Sequence, residues 1–147
     1  MTAIDSGIGY ELSETYPVTG ERLFQALTDA AILKEIWGVQ QIEVDARVGG
    51  RWGYEFRADG DPTFGFFGVF HSVEPNALLV QTFEFNMAPG LVGVTSTRFE
   101  DLGGRTRLSA REIYPSVEAR DAAVASGMEY GMKESYERLD ELLAANQ

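Results

Sequence analysis

The sequence predicts an α+β fold, in which a seven-stranded, curved antiparallel sheet wraps around a long C-terminal helix, with two short helices after the first strand. Three observations lead there. Six strand-like runs between Val39 and Tyr114 are joined by short stretches of turn chemistry, and short connections favour antiparallel hairpins. A run with helical spacing of apolar residues occupies Val117–Ala145. One strand-like and two helical runs precede the six. At 147 residues the chain suits one domain, 1–147, large enough to build a core without disulfides or metal staples.

Residues 1–7 read as a loose terminus. "YELSETYP", Tyr10 to Pro17, alternates Tyr10, Leu12, Glu14 and Tyr16 against polar neighbours, a strand closed by proline. "GERLFQALT" sets Leu23, Phe24 and Leu27 on one helical face. "DAAILKEIWG" is a second short helix, with Asp29 as its cap and Gly38 as its stop. The six strands follow at Val39–Arg47, Arg51–Ala58, Phe64–Val73, Leu78–Phe85, Val92–Asp101 and Thr106–Tyr114. The last helix lines up Ala125, Met128, Met132, Tyr136, Leu139 and Leu143. It also carries Gly127 and Gly131, each costing about 1 kcal/mol relative to alanine in a helix interior. Two readings of that pair stay open: close packing of the helix on its neighbours, or space at a cavity mouth.

Composition removes several function classes. The chain has no cysteine, which excludes disulfides, thiolate metal sites and cysteine nucleophiles. With one histidine as well, no metal site and no cofactor are expected. A net charge of −11, from 12 basic and 23 acidic residues, disfavours nucleic acid and anionic membrane surfaces as partners. The start lacks a basic region followed by an apolar run, and no stretch approaches the roughly 20 apolar residues of a membrane span. A cytoplasmic location is therefore expected. No glycine-rich phosphate loop of the G-x-x-x-x-G-K-[ST] kind is present. His71 lies mid-strand without a G-x-S-x-G nucleophile motif, so a structural or surface role is expected for it.

Positive hints come from the aromatic residues, which gather mainly between Trp37 and Phe99. In "VGGRWGYEFRADGD", Trp52, Tyr54 and Phe56 share one face by period-two alternation. "FGFFGVF" has four phenylalanines in seven positions, which must serve both faces; Phe66 and Phe70 are taken as inward. Thr106, Leu108, Ala110, Glu112 and Tyr114 share a face, while Arg107 and Arg111 take the other and are expected to pair with surface acids. Opposite the sheet, Met128, Met132 and Tyr136 offer an adaptable helical wall. An apolar pocket with a few convergent polar groups is the usual small-molecule site. The expected ligand-lining residues are thus Trp37, Trp52, Tyr54, Phe56, Phe66, Phe70, Tyr114, Met128, Met132 and Tyr136. The competing reading is that they simply fill the core. Among the acids, Glu84, Glu100, Glu112 and Glu129 stand where a cavity-facing carboxyl would have a raised pKa.

The segments "FQALTDAAILKEIWG", "VGGRWGYEFRADGD", "GVFHSVEPNALLVQTFEF", "TRFEDLGGRTRLSAREIYPS" and "SGMEYGMKESYERLDELL" together resemble the START-like, helix-grip superfamily, also called SRPBCC. Within it the chain is similar to the branch homologous to the activator of heat-shock protein 90 ATPase, over about Tyr10 to Leu143. The resemblance implies a long C-terminal helix lying across a curved sheet, and an internal hydrophobic cavity. It implies no reaction, because one fold hosts many functions.

The leading expectation is a binding module for a small hydrophobic or aromatic molecule, acting as carrier or sensor. A polyketide cyclase or dehydratase-like enzyme is the alternative, with Glu112, Tyr54, Tyr114 or Glu129 as general acid or base. A chaperone-interaction module ranks third. A homodimer is compatible with all three.

Overall fold

Alternating inward and outward side chains along 9–16 and 106–113 lay two long strands side by side, and the sheet grows outward from that pair. The computed structural model describes residues 2–57, 63–126 and 128–145. In chain order the elements are β1 (Thr2–Ser6), β2 (Gly9–Tyr16), α1 (Gly20–Thr28), α2 (Ala30–Trp37), β3 (Gln41–Val44), β4 (Arg51–Arg57), β5 (Thr63–Glu74), β6 (Leu78–Phe85), β7 (Gly93–Asp101), β8 (Thr106–Ile113), α3 (Val117–Ala125) and α4 (Met128–Ala145). The strands form one sheet in the order β1-β2-β8-β7-β6-β5-β4-β3, antiparallel throughout. The expected α+β, helix-grip architecture is present.

Two features depart from expectation. The seven expected strands are joined by an eighth, β1, where a loose terminus was expected. It folds back on β2 from Thr2↔Ser13 to Ser6↔Gly9 across a two-residue connection in which Gly7 has φ +60°, the positive φ that tight hairpins require. The single helix expected over Val117–Ala145 is two helices, α3 and α4. Ser126 closes α3: its N–H reaches the Ala122 and Ala123 carbonyls at 3.0 and 3.2 Å, and its hydroxyl donates to Ala123 O at 2.6 Å. A hydroxyl bonded back onto the last turn followed by a glycine is a weak point in any helix. No residue of α3 is fully buried, whereas α4 buries Leu139 and Leu143. Gly127 and the surroundings of Gly131 lie outside the described residues.

Both short helices end as their sequences dictate. The Asp29 carboxylate accepts from Ile32 N–H at 3.1 Å at the start of α2, and Gly38 at φ 64° stops it. Thr19 caps α1 in the same way through Arg22 N–H at 3.3 Å.

Helix α4 crosses the inner face of the sheet. Its Leu139 and Leu143 pack with Tyr16, Leu23, Trp52, Phe70, Phe99 and Leu108 in the larger core cluster. A smaller cluster, Tyr10, Leu12, Ala110 and Tyr114, is bordered by Met132 of α4 and by Ala119, Ala123 and Val124 of α3. A register shift in β5 between Phe70 and Ser72 marks a bulge, which bends a strand and increases its twist. Nearby, Trp52 Nε1–H donates to the Thr82 carbonyl at 2.8 Å. That contact passes directly over Gly68, where a Cβ would collide with the Thr82 carbonyl.

Candidate functional site

The inner face of β8 carries Thr106, Leu108, Ala110 and Glu112, and the chain then turns Tyr114 onto the same side. Glu112 is the one acidic group in this row. The Tyr114 hydroxyl donates to its Oε2 at 2.7 Å. Oε1 has no hydrogen-bond partner among the described residues. Burial pushes the Glu112 carboxyl above the usual glutamate range, and the Tyr114 hydrogen bond only partly opposes that.

Three tyrosines from separate elements feel this carboxyl. Tyr54 of β4, Tyr114 after β8 and Tyr136 of α4 are each raised well above the ordinary phenol value, first by burial and next by the Glu112 charge. All three hydroxyls therefore remain protonated donors at neutral pH. The arrangement is one hydrogen-bonded acid among phenols, enclosed by aromatic rings.

That enclosure is a chain of ring contacts. Trp37 lies 4.6 Å from Tyr54, Tyr54 5.8 Å from Phe66, and Phe66 5.0 Å from Phe85, while Phe83 meets Tyr114 edge-on at 5.3 Å. Tyr54, Phe66, Phe83, Met132 and Tyr136 are half-buried, whereas Trp52, Phe70 and Tyr114 are closed off at 7%, 3% and 8% exposure. Phe83 and Tyr136 touch both core clusters and so mark the seam between them.

The expected lining residues divide along that seam. Trp37, Trp52, Tyr54, Phe66 and Phe70 belong with the larger cluster, Met132 and Tyr114 with the smaller, and Tyr136 with both. The side chains of Phe56, Met128 and Glu129 lie outside the described residues. Phe83 was not among the expected residues, although its spacing from Leu79 along β6 places it on the inner face. Of the other acids, Glu84 accepts from Gly90 N–H at 2.9 Å and Glu100 pairs with Arg107 at 3.2 Å, both turned away from the interior. Arg111 pairs with Glu11 at 3.3 Å, so both strand arginines hold surface acids. His71 is exposed, its Nδ1 2.9 Å from the Ser72 hydroxyl.

A separate cleft of about 320 Å³ lies where α4 meets β2, lined by Glu14, Lys133, Tyr136, Glu137 and Asp140. It shares only Tyr136 with the aromatic enclosure. Among the described residues no three carboxylate or imidazole groups converge as metal ligands.

The family model for the Activator of Hsp90 ATPase homolog 1-like protein matches residues 17–144. The chain belongs to this family. Solved structures resembling this family member include a Rhodobacter sphaeroides protein, 26% identical, covering 99% of both chains with a TM-score of 0.89. A Mycobacterium smegmatis protein, 18% identical, covers 97% of this chain and 96% of its own with a TM-score of 0.87, a likeness of fold alone. An HSP90 activator from Plasmodium falciparum is 25% identical over 73% of each chain, with a TM-score of 0.60. Comparison with curated proteins gives no match. No helix among the described residues is long and apolar enough to cross a membrane.

Proposed function

We propose that this family member binds a small hydrophobic or aromatic molecule between the inner face of the sheet and α4, as a cytoplasmic carrier or sensor. One observation carries the reading. The half-buried groups Phe83 and Tyr136 lie at the seam between two closed clusters, Tyr54 and Phe66 border the larger and Met132 the smaller, and Glu112 on the same inner face offers a carboxyl oxygen with no protein partner among the described residues. Apolar walls with a few convergent polar atoms suit small-molecule binding. The absence of basic clusters in a chain of net charge −11 argues against nucleic acid as the partner.

Native mass spectrometry of the purified protein tests this. The expected result is a complex with a small molecule that is lost on denaturation, or a raised unfolding temperature with added aromatic compounds. An unliganded protein that no member of a broad aromatic panel stabilises overturns the reading.

A second reading rests on the Tyr114–Glu112 hydrogen bond at 2.7 Å. A carboxyl pushed up by burial has the pKa direction a general acid needs, which suits a cyclase or dehydratase-like enzyme. A chaperone-interaction role draws support from the likeness to the Plasmodium falciparum HSP90 activator, and co-purification with that chaperone would favour it over ligand binding.

A further inference from the structure

Glu112 does not stand alone on the inner face. It lies directly across from Thr95 on β7, and Thr95 lies directly across from Gln81 on β6. Directly paired residues of antiparallel strands project to the same side. The three therefore form a polar rung spanning two strand spacings, roughly 10 Å. Its ends are aromatic: Tyr10 faces Glu112 from β2, and Phe70 faces Gln81 from β5. The next row along the sheet holds Leu12, Ala110, Thr97 and Leu79, all buried.

Glu112, Thr95 and Gln81 are each half-buried. Neither Thr95 nor Gln81 has a side-chain hydrogen bond among the described residues. None of their polar atoms is fully closed off without a partner, so they stay open to hydrogen bonds from solvent or from a ligand. The charge distribution narrows what that can be. Of the strand cations, Arg51, Arg98, Arg107 and Arg111 are exposed on the outer face, and Arg57 follows Arg51 at an even spacing along β4. From the helices, Arg120 pairs with Asp121 at 2.8 Å and Arg138 with Glu134 at 3.7 Å, Lys34 and Lys133 are exposed, and Arg22 is half-buried on α1. Glu112 itself has no ion pair among the described residues, so an anionic head group beside it would meet its carboxyl without a counter-charge.

We infer that the interior selects a neutral, hydroxyl-bearing aromatic compound, its ring against Tyr54, Phe66 and Phe83 and its hydroxyls on the Glu112–Thr95–Gln81 rung, and that it rejects carboxylate amphiphiles such as fatty acids. This rests on the ligand-binding reading above and gives it a chemical class.

Isothermal titration of the full chain with three compounds of one shape tests it: 2-naphthol, 2-methoxynaphthalene and 2-naphthoate. The naphthol should bind most tightly. The methyl ether, which cannot donate, should bind roughly tenfold more weakly, the usual worth of one hydrogen bond. The naphthoate should bind more weakly still. Thr95→Val, which keeps the side-chain shape, should shrink the naphthol-to-ether ratio, and Gln81→Leu should do the same if the valine variant folds poorly; circular dichroism reports folding for both. Equal binding of naphthol and ether, or preference for the naphthoate, overturns the inference while leaving ligand binding standing. Binding of none of the three overturns both.

Discussion

Glu112 is where sequence and environment conflict most. Its neighbours Ala110 and Tyr114 are buried at 6% and 8% exposure, and its own carboxyl is pushed up by that burial. A carboxyl whose folded pKa is raised favours the native state most below the unfolded value. That advantage drains away as pH rises towards the folded pKa. Glu112→Gln removes the penalty while keeping an acceptor for the Tyr114 hydroxyl. Urea titrations should therefore find the variant little different from the parent below about pH 4, and more stable by about 1–3 kcal/mol at pH 8, the range for relieving a poorly solvated polar group. A variant equally or less stable at pH 8 would mean that Glu112 is well solvated. In the sequence, alternation already put Glu112 on one face with Leu108, Ala110 and Tyr114. Its separation from Glu84 and Glu100 was not legible there, because all three are strand glutamates and only the pairings of Glu84 with Gly90 and Glu100 with Arg107 set those two aside.

At the scale of elements, capping chemistry was readable and long-range support was not. Asp29 and Gly38 bound α2 as their residue types dictate. The strand β1 escaped notice because five residues carry little periodic signal, although Gly7 was the clue to its turn. The break after Ala125 escaped because the apolar spacing runs on into α4, while the weakness lies in how little α3 buries. That difference has a measurable result. The α3 amides should exchange with solvent through local opening, at free energies well below global unfolding. Those around Leu139 and Leu143 in α4 should exchange only with the whole fold. Uniform protection across both helices in a hydrogen-exchange experiment would show that they behave as one element.

Across the whole molecule, the fully buried side chains by which α4 meets the sheet are, among the described residues, Leu139 and Leu143. Leu139 and Leu143 are each 1% exposed, within the larger cluster. Leu139→Ala should lose about 2–5 kcal/mol of stability by chemical denaturation, the span seen for buried leucines; a loss below 1 kcal/mol would mean that α4 is not what closes the core. The two tryptophans occupy contrasting places in the same interior. Trp52 is 7% exposed with its indole N–H tied to the Thr82 carbonyl, whereas Trp37 is half-buried with its ring 4.6 Å from Tyr54. The protein thus carries its own optical gauge: a steady blue-emitting fluorophore and a second one beside the aromatic enclosure, so that filling the interior should change the emission of Trp37 while leaving that of Trp52 in place, and Trp37→Phe should silence the response to 2-methoxynaphthalene without dimming the steady band.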